Sequence, residues 1–247
     1  MTLDLAEHMQ RRIFWMGYYN LRLVPLFDRL LKPGMVVADV GANIGEVSLL
    51  AANRVGAGGR VIAFEPAPDI ADALEAHVRG NALEEVISVC RQGLADVAGV
   101  LPLYGSCGQG SAQDPNRGLG SLHGNPDSDP LIALVEVTTL DAVVKALQLP
   151  RLDLLKVDIE GGELPCLRGA LDTIERFRPV VVVEVHAHSA GAAGCQGRDI
   201  LDLLTPLGYR FHRLEKRGRL VPISAEQLGA YQDVVCIAGE RLPVEPG

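Results

Sequence analysis

The sequence predicts an α/β fold: a mostly parallel sheet with helices on both faces. Three observations carry this. Short apolar runs alternate with helix-length amphipathic segments from residue 35 onward. Runs such as MVVADV (35–40) and RPVVVVEVH (178–186) are apolar on both faces, as expected of strands covered above and below. Acidic or polar residues recur where the runs end, and open α/β sheets bind ligands outside the carboxyl ends of their strands.

Residues 1–31 read as a helical extension with Pro25 as a break or kink, closed by Lys32-Pro33-Gly34. The remainder, 32–247, reads as one domain. Strand 35–40 leads into helix 46–55, which GAGG (56–59) stops. Strand 60–66, helix 68–82 and strand 85–93 follow. VLPLYG (100–105) fits an edge strand. The stretch 105–130 is rich in Gly, Ser, Asn, Asp and Pro, and loops of that length are usually functional lids or disordered. Residues 133–149 read as a strand and a helix capped near Thr139, and 152–160 as the fourth parallel strand. Helix 163–177 carries Pro165 in its first turn, where proline is tolerated. Strand 178–186, a flexible connection over 190–197, and helix 198–208 ending at Gly208 come next. Strands 209–214 and 232–239 have no convincing helix between them, so they are expected to pair antiparallel.

Bulk properties narrow the function. Of 247 residues, 48% are hydrophobic and 22% charged, ordinary for a globular protein with a full core. The net charge of -8 disfavours nucleic acid as a partner, because phosphate binding needs clustered Lys and Arg. Five scattered cysteines with no CxxC pair argue against a disulfide framework or zinc knuckle. The N-terminus lacks an apolar signal region, and no apolar run is long enough to span a bilayer. A cytoplasmic protein without membrane contact is expected.

The candidate site lies at the strand ends. Asp39, Glu65, the 92–96 region, Asp158 with Glu160, and Glu184 with His186 all fall there. Carboxylates gathered in one crevice raise one another's pKa, which a cationic ligand would relieve. The turn Gly41-Ala42-Asn43-Ile44-Gly45 suits close backbone approach to a ligand, with anionic groups favoured at the following helix N-terminus. It is not a dinucleotide fingerprint, since Asn43 and Val47 stand where further glycines are needed. No Tyr-x-x-x-Lys pair offers hydride chemistry.

The blocks LKPGMVVADVGANIGEVSLLAA, VIAFEPAPD, HVRGNAL, TTLDAVV, LDLLKVDIEGGELPCLRGA and RPVVVVEVH occur in that order over residues 30–186. In this the chain resembles the FkbM family of S-adenosylmethionine (SAM)-dependent methyltransferases. KVDIEGGE with its following L-x-G-A is the most specific block. The resemblance implies a single Rossmann-like class I methyltransferase fold: a mostly parallel seven-stranded sheet with an antiparallel last strand. It implies SAM as cofactor and in-line methyl transfer to a hydroxyl of a small molecule, either a sugar or a natural-product intermediate. By that resemblance Asp39 and Gly41, Ala42, Asn43, Ile44 and Gly45 hold the amino-acid end of SAM. Glu65 takes the ribose hydroxyls, Pro66 and Ala67 line the adenosine side, Gly93, Leu94 and Ala95 flank adenine, and Asp158 and Glu160 face methyl group and acceptor.

A hydroxyl acceptor must lose a proton, and His186 is the first candidate base because its reference pKa suits neutral pH. Glu160 is the second. Lys156 shares a strand face with Asp158 and Glu160, so an ion-pair network is expected. Asn81 and Glu163 have ordinary structural readings, one bonding turn backbone and the other complementing a helix dipole. Ser121 and His123 are speculative contacts. A divalent metal on His186, His188 and Asp158 or Glu160 is a minority reading, and no metal is favoured. N-methylation, an oxidoreductase and a catalytically silent SAM-binding protein are the rival functions. A homo-oligomer stays open.

Overall fold

The computed structural model describes residues 1–105, 120–186, 197–229 and 231–241. The parts of the long loop at 106–119 and of the connection at 190–196 lie outside the described residues, as does His188.

The N-terminal segment forms α1 (His8–Met16) and α2 (Leu23–Leu30). The break is at Gly17, left-handed at φ 82°, and not at Pro25, which sits in the first turn of α2 where a missing N–H costs nothing. The Glu7 carboxylate caps α1 by accepting from the Gln10 N–H. Then follow β1 (Val36–Val40), α3 (Glu46–Val55), β2 (Arg60–Phe64), α4 (Pro68–Gly80), β3 (Ile87–Cys90), β4 (Gly93–Leu94), β5 (Gly99–Gly105), β6 (Gly120–Ser121), β7 (Leu131–Thr138), α5 (Leu140–Ala146) and β8 (Leu154–Val157). The chain continues through α6 (Glu163–Arg168), α7 (Leu171–Phe177), β9 (Val180–His186), α8 (Gly197–Leu204), β10 (Tyr209–Leu214), β11 (Leu220–Pro222) and β12 (Tyr231–Ala238).

The main sheet has the order β11-β10-β12-β9-β8-β1-β2-β3. Strands β3, β2, β1, β8 and β9 run parallel. β12 enters antiparallel between β9 and β10, as the last two long strands were expected to pair. The short β11 adds an eighth strand to the seven expected. All five residues of β1 are buried. Val36, Ala38 and Val40 face a core closed by α5 to α8, while Val37 faces the core closed by α2, α3 and α4. This strand alternation explains why VVADV has no exposed face.

Three further expectations need correction. The run 85–93 serves two sheets: β3 ends the main one, while β4 joins a second sheet of order β4-β7-β5-β6. VLPLYG is not an edge strand, since β5 pairs with β7 on one side and β6 on the other. The helix expected over 163–177 breaks into α6 and α7 at Gly169, where any Cβ would lie 2.1 Å from the Ala95 carbonyl oxygen. That close packing requires glycine and spoils the helix. The cap at Thr139 is as expected, its hydroxyl accepting from the Ala142 N–H at 3.1 Å.

Candidate functional site

A cavity of about 550 Å³ opens at the carboxyl ends of β1, β2 and β8. At one end it is lined by Gly41 to Ile44, Glu65 to Ala67, Gly93 and Leu94. Glu65 ties this end together. One carboxylate oxygen accepts from the Asn43 N–H at 3.0 Å and the other from the Ala67 N–H at 2.9 Å. The carboxylate therefore joins the turn after β1 to the turn after β2 while facing the cavity. Burial pushes its pKa up, against those two N–H bonds.

The two turn glycines are required by packing as well as by φ. At Gly41 (φ 75°) a Cβ would lie 1.9 Å from the Asp158 carbonyl oxygen, and at Gly45 (φ 96°) 2.5 Å from Leu74 Cδ1. The turn is thus pressed against the end of β8, which closes the cradle from behind.

Three residues expected at the cofactor do not line the cavity. Asp39 lies fully buried beneath the turn, accepting from Ser48 Oγ at 2.6 Å. Gly45 packs on Leu74. Ala95 turns away, its N–H donated to the Thr138 carbonyl at 2.9 Å. The helix N-terminus also differs from an anion site. Glu46, the first residue of α3, is buried there and holds the chain's own negative charge at the dipole's positive end. Its carboxylate is taken up by the N–H groups of Tyr19 and Asn20.

The other end is acidic. Asp158, Glu160 and Glu184 line the cavity, with a carboxylate oxygen of each within 4.8 Å of the others. Lys156 Nζ sits 3.3 Å from Asp158 and 3.5 Å from Asp39, and donates to the Gly41 carbonyl at 3.0 Å. Burial pulls the Lys156 pKa down, but Asp158 and Asp39 outweigh it and leave it above its ordinary value. Of the network expected on this strand face, the pair with Asp158 is present, while the second close partner of Lys156 is Asp39 and not Glu160. Asp39 remains raised, because burial exceeds the help from Lys156 and Ser48.

Glu160 has its pKa pushed up to about 7, by burial first and then by Asp158 and Glu163. Its backbone is left-handed at φ 55°, and its carbonyl accepts from Ser121 Oγ at 2.7 Å. Ser121 thus holds the turn that presents Glu160 and is not itself a cavity residue. Glu184 is raised by burial and then by Asp158, and it accepts from the Tyr231 hydroxyl at 2.5 Å. Asp233, registered opposite Glu184, is pushed up to about 6 by burial and Asp158.

The remaining candidates are placed as follows. Asn81 Nδ2 donates to the His77 carbonyl at 2.7 Å, the structural role expected of it. Glu163 accepts from the N–H groups of Ile159 and Gly161, both at 3.1 Å, so it shapes the turn as well as opening a helix. His123 lies near Gly162, outside the cavity lining, with its pKa lowered by burial. His186 is the last residue of β9, its backbone registered against Tyr231. Its side chain, and with it the histidine metal set, lies outside the described residues. Tyr19, Asn20, Glu46 and Tyr231 line the cavity unforeseen. Tyr231 comes from the last strand and Tyr19 from the turn before α2, and no local signal places either at a strand end of the main sheet.

A strand order of this kind, a glycine turn after the first strand and a buried acid after the second define a Rossmann-like class I methyltransferase. Residues 39–211 match the model of the methyltransferase FkbM domain, and the chain belongs to the FkbM family. It is 32% identical over 237 residues to the AMB antimetabolite synthetase AmbE of Pseudomonas aeruginosa, over 85% of this chain. The chain spans only 11% of AmbE's length. It is 31% identical over 202 residues to the 31-O-demethyl-FK506 methyltransferase FkbM of Streptomyces tacrolimicus, covering 73% of this chain and 75% of that one. The crystal structure of methyltransferase FkbM from Methylobacillus flagellatus superposes with a TM-score of 0.51 at 17% identity, over 85% of this chain and 49% of that one. At that identity the likeness concerns the fold alone. Among the described residues, no helix is long and apolar enough to cross a membrane.

The residues present fit SAM. Glu65 offers paired oxygens, and among the described lining residues the acids Glu46, Glu65, Asp158, Glu160 and Glu184 outnumber the lysine Lys156, as suits a sulfonium cation.

Proposed function

We propose that this protein transfers the methyl group of SAM to a hydroxyl oxygen of a small molecule, a sugar or a natural-product alcohol. The observation that carries this reading is that one cavity holds both the Glu65 cradle and the Glu160 carboxylate. SAM, when bound, supplies a methyl group activated on a sulfonium. The chain's own residues do the rest. Glu65 would accept the ribose hydroxyls, and Gly93 and Leu94 would line the base. Asp158, neutralised in part by Lys156, would hold negative charge on the side of the sulfonium. Closing two reactants into one walled space supplies orientation, the larger part of what an in-line displacement needs.

Glu160 takes the hydroxyl proton in this reading. A base works best with a pKa near the working pH, and Glu160 lies at about 7. His186 remains a second candidate, two residues beyond Glu184 on β9. The Streptomyces tacrolimicus relative is a 31-O-demethyl-FK506 methyltransferase, which supports oxygen as the acceptor atom.

The test is incubation with methyl-labelled SAM and panels of sugars and natural-product alcohols and amines, read by mass spectrometry and NMR. O-methyl products support the proposal. Transfer to nitrogen alone overturns the hydroxyl acceptor, and failure to bind S-adenosylhomocysteine in calorimetry overturns the cofactor.

A further inference from the structure

Residues 2–22 precede the family-matched segment, yet His8, Met9, Tyr19 and Asn20 form part of the cavity wall. Tyr19 stands close enough to Glu184, Asp158 and Glu160 for each to raise its pKa, behind the larger effects of its burial and of Arg12. This segment therefore walls the cavity, with Tyr19 on its acidic side.

Its attachment to the rest of the protein converges on one place. Glu46 Oε1 accepts from the N–H groups of Tyr19 at 2.5 Å and Asn20 at 2.9 Å. The Asn20 side chain donates to Glu46 Oε2 at 3.4 Å. The buried His77 ring links Ile44 to Thr2: Nδ1 lies 2.7 Å from the Ile44 carbonyl, and Nε2 accepts from the Thr2 N–H at 3.1 Å. Met9 and Ile13 of α1 pack in one buried cluster with the Ile44 side chain. All three attachments reach Ile44 or Glu46, the residues on either side of Gly45 at the end of the cradle turn. Ile44 and Glu46 themselves line the cavity.

We propose that residues 2–22 are a strap over the acceptor end, seated by the cradle turn through Glu46 and His77, so that filling the cradle completes the acceptor wall. Glu46 is then a positioning residue for the reaction. The inference rests on the reading of the cradle as a SAM site. The physical reason is linkage. A ligand that fixes the 41–45 turn fixes the Ile44 carbonyl and the Glu46 carboxylate, and with them the strap. By reciprocity a seated strap raises ligand affinity equally, and couplings of this kind are about 5- to 150-fold.

The experiment is amide hydrogen exchange on the full chain, with S-adenosylhomocysteine as the probe. In the unaltered protein the probe slows exchange by at least about fivefold in 2–22 as well as in 41–46, the lower bound of such coupling. In Glu46→Gln the added protection over 17–22 is lost, while that over 1–7 persists. In His77→Phe the pattern reverses. Each variant is first checked by circular dichroism, and if one does not fold the other still decides. Protection of 41–46 with 2–22 unchanged overturns the strap while leaving the SAM site standing. Full protection of the strap in the folded variants overturns the anchors. No binding of the probe to the unaltered protein overturns the SAM reading itself, and the strap with it.

Discussion

The two ends of the cavity are built by opposite means. The cradle end is made of backbone: a glycine turn pressed onto β8 and stitched to the next turn by the two oxygens of Glu65. Its residues are close in sequence and fall within the family-matched segment. The acidic end is made of side chains collected from β8, β9, β12 and the turn before α2, and its order comes from charge: one buried lysine against several acids. A backbone cradle presents one shape to one cofactor. A cluster assembled from distant segments can vary through any of its contributors, and Tyr19 and Tyr231, two of them, lie outside the family-matched segment.

The comparison can be broken at Lys156, which touches both ends. Lys156→Met leaves the fully buried Asp39 without its cation, and removing one partner of a buried pair costs about 3–5 kcal/mol. Urea denaturation measures this, and a loss under ~1 kcal/mol, the value of an exposed pair, would show that the lysine does not hold the ends together.

Glu160→Gln should separate chemistry from cofactor binding. Turnover is expected to fall by about 10²–10⁴-fold, the usual worth of a general base, with S-adenosylhomocysteine affinity unchanged. In the unaltered protein turnover should rise with pH through about 7, as the Glu160 carboxyl loses its proton, and the variant should lack that inflection. Stability gives an independent check. The folded pKa lies above the ordinary unfolded value of about 4.3, so the folded state binds the extra proton between the two. Relative to the glutamine variant, the stability contributed by Glu160 is present at low pH and is lost as pH rises from about 4.3 to about 7. An equal pH dependence in both proteins would show that Glu160 is not shifted.

Glu65→Ala should do the converse, weakening S-adenosylhomocysteine by about tenfold to a hundredfold in calorimetry, since bonds to a charged group are worth about 1.5–3 kcal/mol each. Binding within twofold of the unaltered protein would remove Glu65 from the cofactor site. The smallest effect belongs to Asn81→Ala, which loses one bond to the His77 carbonyl. About 1 kcal/mol or less is expected in denaturation, and a change in cofactor affinity would instead place Asn81 in the site.

Much of the cradle was legible in the sequence because its parts are local. Strand, glycine turn and helix are contiguous over 36–55, and Glu65 follows the next strand directly. The roles of Asp39, Gly45 and Ala95 were not legible, because a residue beside a turn points into the cavity or beneath it according to packing from elsewhere. Glu184 was visible as a strand-end acid, yet its partner Tyr231 comes from a strand 47 residues on, set opposite by antiparallel register.

The sequence by itself determined the α/β alternation, the parallel core strands, the glycine turn after the first strand and the set of acids at the strand ends, since these follow from periodicity and from glycines at fixed offsets. Only the tertiary structure decided that 93–105, 120–121 and 131–138 build a second sheet, that Glu46 and His77 bind the N-terminal segment to the cradle, and that Tyr19 and Tyr231 line the cavity. Strand partners and long-range hydrogen bonds are chosen by the whole packed chain, and no window of sequence contains both sides of that choice.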